Sequence, residues 1–192
     1  MEAFEKPITI FIMTHNNADT ISLCLKRLEI QNLTARVVIM DYNSKDGTRE
    51  MLKKQIKVDY YKFPIELILI NKKMDKHKAK VHFRTEACKK CDTDYLMFLT
   101  ADLLIPRFSI QQLINIIENG DRIGVAGLQY QNVDHIQYGA TIILSELAKK
   151  IDWDLKTQCT CRNARDIIKG LGFQLVNHPI LSCIRIREVV EW

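Results

Sequence analysis

Val38-Ile39-Met40-Asp41-Tyr42-Asn43-Ser44-Lys45-Asp46-Gly47-Thr48 changes character at Asp41. An apolar run precedes that residue, and a polar stretch containing the turn-forming pair Asp46-Gly47 follows it. This predicts a buried strand, Val37 to Asp41, that delivers polar side chains at its carboxyl end. The same change recurs where Ile8 to Met13 gives way to Thr14-His15-Asn16-Asn17, and where Tyr95 to Leu99 gives way to Thr100-Ala101-Asp102. Ligands of open α/β sheets lie beyond the carboxyl ends of the strands. Any one cluster could be a mere turn, but three on one edge point to a site.

Outward from these runs, short β-rich segments alternate with amphipathic ones, the signature of a mostly parallel sheet with helices on both faces. Helices are predicted over Ala18 to Gln31, with Asn17 as N-cap, and over Thr48 to Ile56, Lys76 to Cys91 and Ser109 to Glu118. The last of these should end in a left-handed cap at Asn119-Gly120. Further strands are predicted over Ile65 to Ile70 and Ile123 to Tyr130. The alternation then loosens into Ile136 to Leu144, short helices over Ser145 to Lys150 and Asn163 to Leu171, and strands over Phe173 to Val176 and Ile180 to Ile186. No repeat, low-complexity tract or linker divides the chain, so residues 1–192 are read as one α/β domain.

Of the 192 residues 47% are hydrophobic and 27% charged, which excludes a disordered or fibrous chain. No apolar run approaches the roughly 20 residues that span a bilayer, and no signal peptide opens the sequence, so a cytoplasmic location is expected. Lys and Arg total 28 against 23 Asp and Glu, a net charge of +5 that suits a phosphorylated small molecule better than nucleic acid. Neither G-x-G-x-x-G nor G-x-x-x-x-G-K-[ST] occurs, so phosphates are handled without a dinucleotide or P-loop fingerprint.

The three strand ends, above all Asp41-x-x-Ser44-x-Asp46-Gly47-Thr48, resemble nucleotide-sugar glycosyltransferases of family 2, with the GT-A fold, over roughly residues 5 to 130. The resemblance implies a metal-assisted transferase that takes a sugar from a UDP- or GDP-sugar to a glycan, lipid or protein acceptor. Thr14 and Asn16 would line the nucleoside pocket, Asp41 would accept a hydrogen bond from the base imide, and His15, Asn43 and Thr100 would complete the nucleotide contacts. Arg84 matches an arginine that precedes the buried strand in the family and is a candidate nucleoside or phosphate contact. Asp102 takes the place of the carboxylate that holds Mn2+ or Mg2+, with His178 as a possible second ligand.

Two departures from the family pattern bear on chemistry. The usual first carboxylate of the metal motif is replaced by Thr100 or Ala101. The catalytic Glu-Asp pair expected about eleven residues before Gly172 falls on Thr160 and Cys161, which leaves Asp154 as the substitute base. An alternative is therefore a catalytically silent nucleotide-sugar binder. At this length a partner chain or membrane surface could complete the acceptor site. Cys88-x-x-Cys91 and Cys159-x-Cys161 leave three readings open: zinc, a disulfide, or inert thiols.

Overall fold

The computed structural model describes residues 4–31, 33–129, 136–154 and 159–186. Its strands are β1 (Phe4–Thr14), β2 (Leu33–Tyr42), β3 (Ile65–Ile70), β4 (Tyr95–Thr100), β5 (Leu103–Leu104), β6 (Ile123–Gln129), β7 (Ala140–Leu144), β8 (Gln174–Ser182) and β9 (Ile184–Arg185). The helices are α1 (Ile21–Glu29), α2 (Thr48–Lys57), α3 (Lys76–Lys90), α4 (Ser109–Asn119), α5 (Ser145–Ala148) and α6 (Thr160–Gly170). Seven strands form one sheet in the order β3-β2-β1-β4-β7-β6-β8, while β5 and β9 pair separately. β3, β2, β1 and β4 run parallel; β7 is antiparallel to both of its neighbours, and β8 is parallel to β6.

Strand alternation divides the core into two layers. Ile8, Ile10 and Ile12 pack with Val37, Ile39, Met97 and Leu99 beneath α1, α2 and α4. Phe11, Met13, Val38, Met40, Leu96 and Phe98 face the opposite layer of α3, α5 and α6. Central strand β4 is buried on both faces, which explains its unbroken apolar run. On the second face Phe98 packs edge-on against Phe83, Tyr138 and Trp153, with ring centroids 5.9, 5.9 and 5.5 Å away.

The expected α/β sheet with helices on both faces is the observed one, and several local expectations need correction. α1 begins at Ile21 after an N-cap at Thr20, not at Asn17, because residues 17–20 form a turn in which Asn17 O accepts the Thr20 and Ile21 amides. Gly120 ends α4 in an extended conformation (φ −94°), not a left-handed one. The two predicted C-terminal strands form a continuous β8 through Pro179, followed by the short β9. Gln129 is the last described residue of β6, so Tyr130 lies outside the described residues. Among the described residues no helix is long and apolar enough to cross a membrane.

All six cysteines are free, and no group of three His, Cys, Asp or Glu among the described residues could hold a metal ion. Burial pushes the Cys88 and Cys183 thiols up to about 12.

Candidate functional site

The register sets the site. Thr14 is the ladder partner of Asp41, and Met13 that of Thr100, so the carboxyl ends of β2, β1 and β4 lie side by side. Asp102 follows β4 on the same edge. The backbone there is unusual, because Asn16 (φ 52°) and Asn43 (φ 58°) both adopt the left-handed conformation that asparagine tolerates best after glycine.

Polar side chains stitch the two loops together. The Asn16 amide donates to Ser44 Oγ at 2.8 Å, and the Lys45 amide returns to Asn16 Oδ1 at 2.8 Å. The Asn17 amide donates to Thr48 Oγ1 at 2.9 Å, and a ring nitrogen of His15 contacts the Tyr42 carbonyl. Thr14 is buried, with its hydroxyl given to Asn17 Oδ1 at 3.1 Å, so it shapes the loop from beneath. Much of the decisive motif is thus architectural: Ser44 and Thr48 hold the first loop against the second, and Gly47 supplies the φ of +93° needed at the N-cap of α2.

Asp46 completes that lattice, accepting from Ala18 N at 3.0 Å and from the amide and hydroxyl of Thr48. Burial alone would raise its pKa, but these donors together hold the carboxyl below its ordinary 3.8. A carboxylate depressed in the folded state contributes stability above its unfolded pKa and loses it as pH falls through the folded one. Asp46→Asn is therefore expected to lower the melting temperature at pH 7, and the gap from wild type should shrink as the pH drops below 3.8. Melting curves across that range check this; a gap independent of pH would remove the charge from the explanation.

Asp41 is fully buried, and its Oδ1 accepts the Ser44 amide at 3.2 Å and the Nε–H of Arg49. Arg49, unremarked in the sequence, is held in turn by Asn71 Oδ1 at 2.7 Å and the Ile70 carbonyl at 2.9 Å. It neutralises a charge that burial would otherwise penalise by several kcal/mol. Oδ2 of Asp41 is buried and has no hydrogen-bond partner in the protein, and the hydroxyl of Thr100 is in the same state. A buried, unsatisfied carboxylate oxygen on the ligand edge of a sheet is an acceptor in need of a donor.

Other expected site residues lie elsewhere. Arg84 is only 4% exposed and sits over the rings of Tyr138 and Trp153, 5.4 and 5.3 Å from their centroids. Its guanidinium donates to Thr160 Oγ1 and lies 3.4 Å from Cys161 Sγ. It occupies the buried stripe of α3 with Ala79, Phe83, Ala87 and Cys88, so it anchors α6 where a phosphate contact was expected. His178 is turned toward α4: one ring nitrogen meets Gln112 Oε1 at 2.9 Å, and the other accepts the Ile180 and Leu181 amides. Asp154 is exposed at a groove between α3 and residues 148–154, which Asp152, Lys78 and Lys89 also line.

A metal ion does not fit these residues. Asp102 already has a cation, with its Oδ2 3.1 Å from Arg185 Nε. Thr100 and Ala101 bring no second carboxylate, both nitrogens of His178 are engaged, and among the described residues Asp102 belongs to no ligand cluster.

At the first turn of α6, where the base pair was expected, stand Thr160 and Cys161. The hydrogen bond from Cys159 and the adjacent Arg84 charge hold the Cys161 thiol well below its ordinary value, while that same bond and burial push Cys159 up. Iodoacetamide at about pH 6, where ordinary thiols are protonated, is expected to label Cys161 first. Peptide mapping by mass spectrometry checks this. Equal labelling of Cys159 and Cys161, or none of either, would contradict it.

Over residues 9–167 the sequence matches the profile of Glycosyl transferase family 2. The chain belongs to that family. Among solved structures it is similar to the mannosyltransferase PcManGT from Pyrobaculum calidifontis, in complex with GDP-Man and Mn2+, with a TM-score of 0.80 and 15% identity over 95% of this chain and 57% of that one. It is also similar to S. aureus TarS 1-349 in complex with UDP-GlcNAc, with a TM-score of 0.71 and 14% identity over 96% of this chain and 59% of that one. At such identities the likeness is one of fold. The family 2 chain thus spans somewhat under two thirds of the length of these structures, and no curated protein matches it.

Proposed function

We propose that this chain is a GT-A domain that binds a UDP- or GDP-sugar and transfers its sugar to a glycan, lipid or protein acceptor. The observation that carries the reading is the unsatisfied Oδ2 of Asp41, fully buried on the ligand edge and flanked by Thr14 and the left-handed Asn16 and Asn43. A base imide N–H supplies the missing donor. Family membership and the nucleotide sugars bound by PcManGT and TarS agree with such a ligand.

In the transfer, the bond from the sugar C1 to the diphosphate oxygen breaks with its electron pair leaving on the diphosphate. The acceptor oxygen bonds C1, and its proton passes to a base. Asp154, which faces the groove beside α3, is the carboxylate proposed for that step. Thermal-shift measurement against a panel of UDP- and GDP-sugars tests the donor class, since a ligand at 100 times its Kd stabilises by about 2.7 kcal/mol. Mass-spectrometric detection of glycosylated acceptor then separates a transferase from a silent binder. Failure of every nucleotide sugar to shift the melting curve would overturn the proposal.

A further inference from the structure

The two oxygens of Asp41 differ in what they have left to offer. A carboxylate oxygen accepts through two lone pairs. Both of those on Oδ1 are taken, one by the Ser44 amide at 3.2 Å and one by the Nε–H of Arg49. Oδ2 has no hydrogen-bond partner in the protein. The side chain thus holds one open acceptor, although it carries two oxygens.

Arg49 is not free to swing aside and reopen Oδ1. Its side chain is 12% exposed, and each guanidinium nitrogen has an acceptor of its own. Nε serves Asp41, one terminal nitrogen reaches Asn71 Oδ1 at 2.7 Å, and the other reaches the Ile70 carbonyl at 2.9 Å. Asp41 lies opposite Leu69 and Tyr42 opposite Ile70 in the β2–β3 ladder, so those two acceptors stand at the end of the neighbouring strand. Moving Nε off Asp41 would disturb both of the other bonds and break a largely buried ion pair.

Nucleotide bases differ at the edge that would meet a single acceptor. Uracil presents one N–H between two carbonyls, and one acceptor satisfies it. Guanine presents a ring N–H beside an amino group, two parallel donors that suit a carboxylate with both oxygens open. Here the second donor would meet Oδ1, with its lone pairs filled and the N–H groups of Arg49 and Ser44 around it. A buried donor left unmade costs affinity. Cytosine presents a ring-nitrogen lone pair, which opposes Oδ2 acceptor to acceptor.

We propose that Arg49 determines base specificity: by occupying Oδ1 of Asp41 it leaves a single acceptor, and this chain takes a uridine-diphosphate sugar in preference to a guanosine-diphosphate one. The inference rests on the nucleotide-sugar reading and deepens it by naming the base. Arg49 acts through Asp41 and is a positioning residue. Asn71 and the Ile70 carbonyl act one step further back, by holding Arg49.

The test is calorimetric titration of the chain with UDP, GDP and CDP in one buffer containing Mn2+, where the shared diphosphate cancels and the ratios report the base. UDP is expected to bind about tenfold or more tighter than GDP and than CDP, as for one unsatisfied or opposed polar group. Arg49→Met frees Oδ1, so the preference for UDP over GDP should collapse, whereas a merely structural loss would weaken both alike. Arg49→Lys should restore part of the preference. Asn71→Ala, which removes one brace of Arg49 at an exposed position, should lower it in the same direction and serves if Arg49→Met fails to fold. Wild-type affinity for GDP or CDP equal to that for UDP would overturn the inference and leave the nucleotide-sugar reading standing. An unchanged preference in folded Arg49→Met would overturn the role of Arg49. Absence of binding of all three would overturn both readings.

Discussion

Asp41→Asn is expected to weaken UDP or GDP binding by about 1.5 to 3 kcal/mol, roughly 10- to 100-fold, with the same loss for the free nucleoside. Oδ1 of Asp41 is held by Arg49 and the Ser44 amide, and Oδ2 is buried with no partner. An asparagine in this place must turn its carbonyl toward the Arg49 guanidinium, because its amide group would meet donors there. The free position then carries an N–H, which opposes the base imide N–H donor to donor. Alanine is a poorer probe, since it strands Arg49 as a largely buried charge and confounds affinity with stability. Titration of uridine or guanosine into folded Asp41→Asn gives the answer. Unchanged nucleoside affinity would remove Asp41 from the binding site.

The candidate edge was legible in sequence because each of its residues sits where an apolar run stops. A charged residue directly after a buried run, such as Asp41 or Asp102, needs a partner, and the topology rule says which edge it faces. The partners themselves were not legible. Arg49 reaches Asp41 only because Gly47 adopts a left-handed φ and turns α2 back over β2. Arg185 reaches Asp102 only because the chain returns from β8 to pair with β5. Tertiary connections of this kind carry no local periodicity. The merging of the last two predicted strands has a similar cause: Pro179 reads as a break, but β8 is the outer strand of the sheet, where a missing N–H costs no ladder bond. Arg84 was misplaced for another reason. Its charge suggested a ligand, whereas α3 turns it onto the stripe that packs under α6.

That packing makes Arg84→Met the substitution with the largest expected effect on stability. The side chain is 4% exposed and satisfies Thr160 Oγ1 and the Cys161 sulfur at the start of α6 while covering Tyr138 and Trp153. Two cation–π contacts at about 1 kcal/mol each and a charged hydrogen bond at about 1.5 kcal/mol suggest a loss of roughly 3 kcal/mol once sharing among them is allowed for. Methionine refills most of the volume, so the deficit reports the charge more than a cavity. For a domain of this size the melting temperature should fall by roughly 6 to 12 °C. A purely steric role would lower the melting temperature and do nothing else. The charge has a second consequence, because Arg84 helps to hold the Cys161 thiol below its ordinary value. Folded Arg84→Met should therefore alkylate Cys161 more slowly at low pH than the wild type, with the Cys159 hydrogen bond still lowering the thiol. Retention of fast labelling at low pH would show that Cys159 and the α6 N-terminus suffice to keep the thiolate, and that Arg84 serves packing alone.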